Sequence, residues 1–384
     1  MLKRIKLWLL GILILVSSNL AYSQWPIMRN DADSLLLLGT DYIYNMEFEK
    51  AYNCFKQMII QYPDHPAGYC LDAMLEWWKI SLYRNTTEYD NNFLSKVDRA
   101  IKVCDKLLDA NPVDIKALFF KGGVIGYRGR FYAAKQDWIH TASDGNTALN
   151  ILIECLKNAP QNYDIMLGTG LYNYFAAVLP DEYPLLKPFM LFLPSGNKQI
   201  GLAQLQAAAR NARYASVEAK VVLLNIYFSF EKNYTEAQKL AEELFSKYPN
   251  NPYFHRYLGR CYVINYNIDK WDKTWRQILL NYMDKKPGYD ALTARDALYY
   301  IGTVLFYKQN YNLALKYFNK CEEASRFVDK ETTGFMVKTH IKLGNVYDKL
   351  GKRNQAIKEY QAVLEMKEID TSHDEAKTFL KTPF

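Results

Sequence analysis

The sequence has few of the features that mark catalytic or metal-binding proteins. Only five histidines occur in 384 residues, and none stands near another His, Cys or Glu at metal-ligand spacing. No GxSxG elbow accompanies Asp137, His140 and Ser143, and the glycine-rich stretch 121–129 lacks the Gly-Lys-Ser/Thr ending of a phosphate loop. We therefore expect no enzyme, no cofactor and no metal site.

Long apolar runs are also missing beyond the N-terminus. There, basic Lys3, Arg4 and Lys6 precede an apolar run from Leu7 to Val16, and small polar residues follow as far as Ser23. Ten apolar residues span only about 15 Å of a bilayer core about 30 Å thick. The pattern predicts a secretory signal at residues 1–23, cleaved to start the mature chain at Gln24. A retained anchor is the alternative.

An exported chain of this kind belongs in the periplasm of a Gram-negative bacterium or outside the cell. Loss of three basic residues with the signal lowers the formal net charge from +7 to +4. Lys and Glu alternate along stretches such as 236–247, which is typical of a solvated helix face. We therefore do not expect nucleic acid as a partner.

Cysteine is scarce as well, with six residues and no CxxC pair. Their spacing defines no disulfide framework even for an exported protein. Cys104, Cys155 and Cys321 fall where the repeat described next has a small apolar residue. We expect buried free thiols.

The strongest positive signal is a set of residues that recurs at fixed offsets. The first unit consists of Leu38, Gly39, Tyr42, Ala51, Phe55 and Pro63. The same offsets recur near the other end at Leu343, Gly344, Tyr347, Ala356 and Tyr360. Further copies begin at Leu224, Leu258 and Ile301. Small residues at such spacing allow two helices to approach closely, large ones fill the space beside them, and proline ends the second helix.

This pattern resembles the tetratricopeptide-repeat (TPR) family, whose unit of about 34 residues is a helix-turn-helix. The resemblance implies an all-α superhelix of helical hairpins, an α-solenoid, in which stacked hairpins form one elongated structure. We expect about eight hairpins near residues 32–63, 66–112, 114–160, 163–212, 216–250, 252–287, 294–326 and 336–368. A short helix within residues 371–381 caps the stack. Residues 24–384 then form a single repeat domain.

The middle of the chain, residues 66–212, is less regular than 32–63 and 216–368. Two units there are longer than a standard repeat, which predicts an inserted loop or an extra helical turn near 85–92 and near 129–145. Residues 164–210 depart furthest from the pattern. Their GxGxY helix, Leu-Pro linker and Gly201-Leu202 helix resemble the centre of a eukaryotic TPR family linked to clearance of protein inclusions.

The resemblance also implies where a partner binds, because in TPR proteins the first helix of each hairpin lines a concave groove. Seven residues point away from the small-residue seam on those helices and are the candidate partner-binding residues: Tyr44, Arg256, Arg260, Tyr299, Tyr307, Asn345 and Lys349. Aromatic residues and arginine are frequent in binding hot spots. The alternative is that these side chains only decorate a solvated or packed face.

We interpret the chain as an exported scaffold that binds a protein or peptide in this groove, in envelope assembly or transport. Two other interpretations stay open. One is a helical-hairpin enzyme acting on envelope glycans, which requires carboxylates that converge from different repeats. The other is a membrane-surface protein that uses the apolar stretch 183–194 (YPLLKPFMLFLP) for peripheral contact. A linker packed against the repeats is the simpler interpretation of that stretch.

Overall fold

The computed structural model describes residues 30–160, 162–183, 187 and 193–384, and these residues form helices and connecting segments without a strand. The helices are α1 (Asn30–Tyr44), α2 (Phe48–Gln61), α3 (Ala67–Leu82), α4 (Asp90–Ala110), α5 (Ile115–Ala134), α6 (Trp138–Asn158), α7 (Ile165–Glu182), α8 (Lys198–Asn211), α9 (Ser216–Asn225), α10 (Tyr234–Lys247), α11 (Pro252–Ile264), α12 (Ile268–Met283), α13 (Ala291–Tyr307), α14 (Tyr311–Val328), α15 (Gly334–Lys349), α16 (Arg353–Glu365) and α17 (Ser372–Lys381). A π-helical turn, Ile226–Phe230, extends α9.

Within the described part of the chain, consecutive helices pair into eight hairpins, from α1/α2 to α15/α16, and α17 follows the last one. The predicted all-α hairpin fold with a C-terminal capping helix is therefore confirmed. Pro63, Pro112, Pro160 and Pro249 lie between hairpins, as predicted, because proline cannot continue the helix that it follows.

The turn inside several hairpins has a common local structure. In the fifth, sixth and seventh hairpins a residue with a left-handed backbone lies in the turn after the first helix, with φ of 51° at Lys232, 52° at Tyr266 and 58° at Gln309. The next residue is an asparagine whose side chain accepts a hydrogen bond from the backbone N–H three residues on. This cap satisfies a free N–H at the start of the second helix. The two helices of each hairpin thus reverse direction within a few residues.

Inside the hairpins, glycines of the first helix face aromatic rings of the second. A Cβ atom on Gly259 would lie 2.8 Å from the ring of Trp275, and one on Gly302 would lie 2.9 Å from the ring of Phe318. The same pairing joins Gly39 to Phe55 and Gly344 to Tyr360. The predicted seam of small and large residues is confirmed, since no larger side chain fits at these glycines without a shift.

The chain divides into two compact units. Among the described residues, the first unit contains 30–43, 47–78 and 88–222, and the second contains 44–46, 79–87 and 223–384. The predicted single repeat domain over residues 24–384 stays a prediction.

Most of the irregular middle of the sequence lies in the first unit, except residues 79–87. Residues 83–89 form a connecting segment between α3 and α4, in agreement with the loop predicted near 85–92. Near 129–145 the extra length lies instead in the helices, because α5 and α6 have 20 and 21 residues and only a tight turn joins them. Gly129 lies inside α5, where its Cβ position is 3.4 Å from Cβ of Asp144. Close helix packing therefore accounts for this glycine.

Helices α7 and α8 also belong to the first unit and approach each other backbone to backbone. A Cβ atom on Gly201 would lie 2.5 Å from the backbone nitrogen of Tyr174 and 2.9 Å from the carbonyl oxygen of Gly170. The contact depends on glycine, because backbone atoms cannot rotate out of the way as a flexible side chain can. This close contact explains why residues 164–210 depart from the regular repeat pattern.

All six cysteines are free and buried, as predicted. The stretch 183–194 lies largely outside the described residues, and so does the predicted signal at residues 1–23. At the ends of that stretch, the ring of Tyr183 lies 5.3 Å from the ring of Trp138, and the hydroxyl of Tyr172 donates a hydrogen bond of 3.0 Å to the carbonyl oxygen of Pro194. Its role as packed linker or contact segment stays open.

Candidate functional site

Six of the seven predicted binding residues lie on the first helices of the last three hairpins in the second unit, α11, α13 and α15. Residues four apart on a helix share one face, so each helix presents a stripe. We call the three stripes together the first-helix face. Its members are Arg256 and Arg260 on α11, Tyr299, Thr303 and Tyr307 on α13, and Ile341, Asn345 and Lys349 on α15.

Three of the predicted residues are exposed, one on each helix of this face. They are Arg260 on α11, Tyr307 on α13 and Lys349 on α15, and Tyr307 is 48% exposed. The predicted pattern of aromatic and cationic groups is therefore available on three successive hairpins. These residue types bury large areas or donate several hydrogen bonds at a protein interface.

The guanidinium of Arg260 lies over two aromatic rings. Its central carbon is 4.4 Å from the ring centroid of Phe228 and 5.5 Å from that of Tyr257. Among the described residues no carboxylate forms an ion pair with it. Stacking orients the group while its N–H donors stay free to face solvent. The two rings thus hold the Arg260 guanidinium in place.

Arg256 stands one turn earlier on α11, but it is buried. Its Nη1 donates a hydrogen bond of 3.1 Å to the Thr293 hydroxyl. Burial, and then the positive charge of Arg84, lowers the pKa of Arg256 to about 10, although Asp290 and Asp296 act in the opposite direction. The guanidinium keeps its charge at neutral pH.

Arg84 comes from the segment 79–87, which is part of the second unit. Its Nη2 lies 3.9 Å from Oδ2 of Asp296, and the hydroxyl of Tyr83 pairs with the backbone of Gly288. Nearby, Arg295 donates to Asp296 at 2.9 Å and to Asp329 at 2.6 Å. Arg295, Asp296 and Asp329 thus form a buried cluster of opposite charges.

The remaining predicted residues are committed to internal contacts. Tyr44 is buried, with its ring 5.2 Å from that of Tyr248. Asn345 is buried and accepts a hydrogen bond of 2.9 Å from the Tyr360 hydroxyl. Tyr299 is half-buried, with its ring 5.4 Å from that of Phe335. A direct role for these side chains in binding stays a prediction.

Two exposed aromatic residues beside the face were not predicted. Tyr266 stands in the turn after α11 and is 73% exposed, and Phe384 follows α17 and is 39% exposed. Both lie outside helices, so helical periodicity gives no signal for them. With Tyr307 they place an aromatic side chain near the end of each of the three first helices.

The last two hairpins match a known family. Residues 293–369 match the sequence model described as "Tetratricopeptide repeat". These residues are tetratricopeptide repeats. The TPR resemblance drawn from the recurring residues is confirmed, and Tyr299, Tyr307, Asn345 and Lys349 lie within the matched segment.

Several solved structures are similar to this chain at low sequence identity. A monomeric mutant of IFIT1 with m7Gppp-AAAA has a TM-score of 0.43 and 15% identity over 94% of this chain and 88% of that one. The human IFIT1 dimer with PPP-AAAA has a TM-score of 0.40 and 14% identity, over 94% of this chain and 87% of that one. Yeast Tom70 has a TM-score of 0.37 and 12% identity, over 90% of this chain and 87% of that one. At such low sequence identities and TM-scores, these similarities say nothing about what the present chain binds.

The buried carboxylates of the first unit are tied to donors. Glu76 accepts a hydrogen bond of 2.8 Å from Lys96, which also donates to Asp72 at 2.7 Å. Glu218 accepts from the indole of Trp78 at 2.8 Å and from Arg130 at 3.3 Å. Paired carboxylates of this kind neutralise charge inside the first unit. The expectation that the chain is not an enzyme stays a prediction.

An open cleft of about 630 Å³ lies on the first hairpin and is lined by Ser34, Leu35, Leu38, Gln57, Gln61 and Tyr62. It offers amide and hydroxyl groups but no pair of carboxylates or bases. Within the described part of the chain, no cluster of His, Cys, Asp and Glu could hold a metal ion. No described helix is both long and apolar enough to cross a bilayer.

Proposed function

We propose that this chain is an exported TPR scaffold that binds a protein or peptide partner on the first-helix face of its second unit. Tetratricopeptide repeats at residues 293–369 support a protein-interaction scaffold. The observation that carries the finer proposal is the exposure of Arg260, Tyr307 and Lys349 on three successive first helices.

The chemistry of the face defines the kind of partner. Arg260 and Lys349 supply cations, and Tyr266 and Tyr307 supply exposed aromatic surface. A partner with carboxylate and aromatic or apolar groups complements both. We assign this partner to the bacterial envelope, in assembly or transport, because the basic and apolar N-terminal segment supports export.

Affinity capture from the producing cells tests the binding face. We expect the double variant Arg260→Ala/Tyr307→Ala to lose the partner that the unaltered chain retains. Truncation of two hot-spot residues costs roughly 2 kcal/mol or more, which is about thirtyfold in affinity.

The matched control is Arg326→Ala/Phe327→Ala, which removes the same kinds of side chain from the end of α14. Both are exposed, and Phe327 is 85% exposed. This variant should keep the partner. Equal retention by both double variants would contradict the proposed face.

A further inference from the structure

The aromatic ring of Phe384 is seated on the last two hairpins. Its centroid lies 5.7 Å from that of Phe306 on α13 and 5.2 Å from that of Phe379 on α17. The ammonium of Lys349 on α15 lies 4.9 Å from the same centroid. The ring of Phe384 is therefore partly enclosed by these side chains at the edge of the first-helix face.

A hydrogen bond to Asp348 fixes the backbone beside that ring. The N–H of Phe384 donates to Oδ2 of Asp348 at 3.0 Å. The same carboxylate accepts two bonds of 3.0 Å from Arg353 and one of 3.0 Å from the Tyr360 hydroxyl. Since Arg353 and Tyr360 both lie on α16, the last hairpin itself holds the acceptor in position for a peptide N–H.

A second lysine borders the seat. Nζ of Lys342 lies 5.4 Å from the ring centroid of Phe306 and 6.0 Å from that of Tyr307. Burial lowers its pKa, although the charge of Glu375 acts in the opposite direction. No carboxylate of the described residues forms an ion pair with Lys342. Aromatic faces attract cations, so a ring entering beside Phe306 meets both aromatic carbon and two ammonium groups.

We propose that Phe306, Lys342, Asp348 and Lys349, here called the tail pocket, form a binding site for an aromatic residue of a partner peptide, which Phe384 occupies as an internal competitor. The inference rests on the proposed function, because it specifies the partner chemistry of the same face. Partner and tail offer the pocket the same two groups, an aromatic side chain and its backbone N–H.

The connection to α17 makes this competition effective. Only Thr382 and Pro383 separate Phe384 from Lys381, the last residue of the helix. A short tether gives the attached group an effective concentration on the order of millimolar. The apparent affinity of a free peptide is therefore its intrinsic affinity multiplied by the fraction of molecules in which the pocket is open.

The test uses a fluorescein-labelled peptide amide, Leu-Lys-Thr-Pro-Phe, which copies residues 380–384. Its binding is followed by fluorescence anisotropy with the full chain and with Phe384→Ala. We expect Phe384→Ala to lower the Kd about tenfold, the ratio for a pocket that the tail fills in about nine-tenths of molecules. Lys349→Ala added to Phe384→Ala should reverse most of the gain, since it removes the cation over the ring.

Two controls make the result specific. Phe327→Ala removes an exposed phenylalanine elsewhere and should leave the peptide affinity unchanged. A probe ending in alanine in place of phenylalanine should bind weakly to every variant. Circular dichroism and the Tm establish that Phe384→Ala is folded.

A folded Phe384→Ala variant that binds the peptide no better than the unaltered chain would overturn the tail pocket. Equal binding of the alanine probe would do the same. If that variant still captures the cellular partner through Arg260 and Tyr307, the tail pocket fails and the proposed function stands. If neither capture nor peptide binding responds to any substitution on the face, both fail.

Discussion

Replacement of Gly201 by alanine tests the backbone contact between α7 and α8. The added Cβ would lie 2.5 Å from the nitrogen and 2.8 Å from the Cα of Tyr174. Alanine normally stabilises a helix interior by about 1 kcal/mol relative to glycine. Overpacking against backbone costs typically about 1 to 3 kcal/mol, and occasionally more, because α7 itself must move. With the helix preference subtracted, we expect Gly201→Ala to lower the free energy of unfolding by about 1 to 2 kcal/mol.

Gly123→Ala is the matched control in the same unit. Gly123 lies inside α5, is exposed, and has no heavy atom of another residue within 4 Å of its Cβ position, apart from its own helix backbone and its chain neighbours. Only the helix preference acts there, so this change should raise the free energy of unfolding by up to about 1 kcal/mol. The two substitutions are chemically identical and should have opposite signs.

Urea unfolding followed by circular dichroism at 222 nm measures both variants. A midpoint change at constant slope reports a change in stability alone. If Gly201→Ala were as stable as the unaltered chain while Gly123→Ala gained stability, α7 and α8 could not be in backbone contact and the account of residues 164–210 would be refuted.

Three further predictions concern titration, thiols and export. His255 is buried against Phe245, and burial, then the charge of Lys286, lowers its pKa to about 3. Since the histidine pKa in the unfolded chain is near 6.5, the unfolded chain binds the proton more tightly than the folded chain does. The contribution of His255 to the free energy of unfolding therefore falls by about 1.4 kcal/mol per pH unit as the pH drops from about 6.5 to 3. His255→Phe should flatten that slope in unfolding measured against pH; an unchanged slope would contradict the burial. Because all six cysteines are free, reductant should leave the Tm unchanged in differential scanning fluorimetry, whereas loss of a disulfide costs about 2 to 5 kcal/mol and would lower it. We expect the intact mass of the protein purified from the producing cells to equal that of a chain that starts at Gln24. A mass that includes residues 1–23 would exclude cleavage.

The hairpins could be predicted because each one repeats a local rule. Gly259 against Trp275 and Gly302 against Phe318 place small and large residues at fixed offsets, and a turn with an asparagine cap follows the first helix. These contacts lie within one hairpin, so spacing along the chain reports them directly.

Burial on the first-helix face could not be predicted in the same way. Helical position places Arg256 on this face, but the side chain is buried within a unit that also includes the distant segment 79–87. Asn345 faces the Tyr360 hydroxyl, a contact that depends on how the ring fills the space beside Gly344. Phe384 lies beyond the last helix, where no period applies. Contacts with other side chains, which spacing along one helix does not report, decide which predicted residues remain exposed.

The central claim is that the first-helix face of the second unit is where the partner binds. A photocrosslinking amino acid, p-benzoylphenylalanine, placed at Tyr307 in the producing cells, tests it directly, and the same group at exposed Phe327 on α14 is the control. We predict a discrete covalent adduct with one protein from position 307 and none from position 327. Adducts from position 327 alone, or equal adducts from both positions, would contradict the claim.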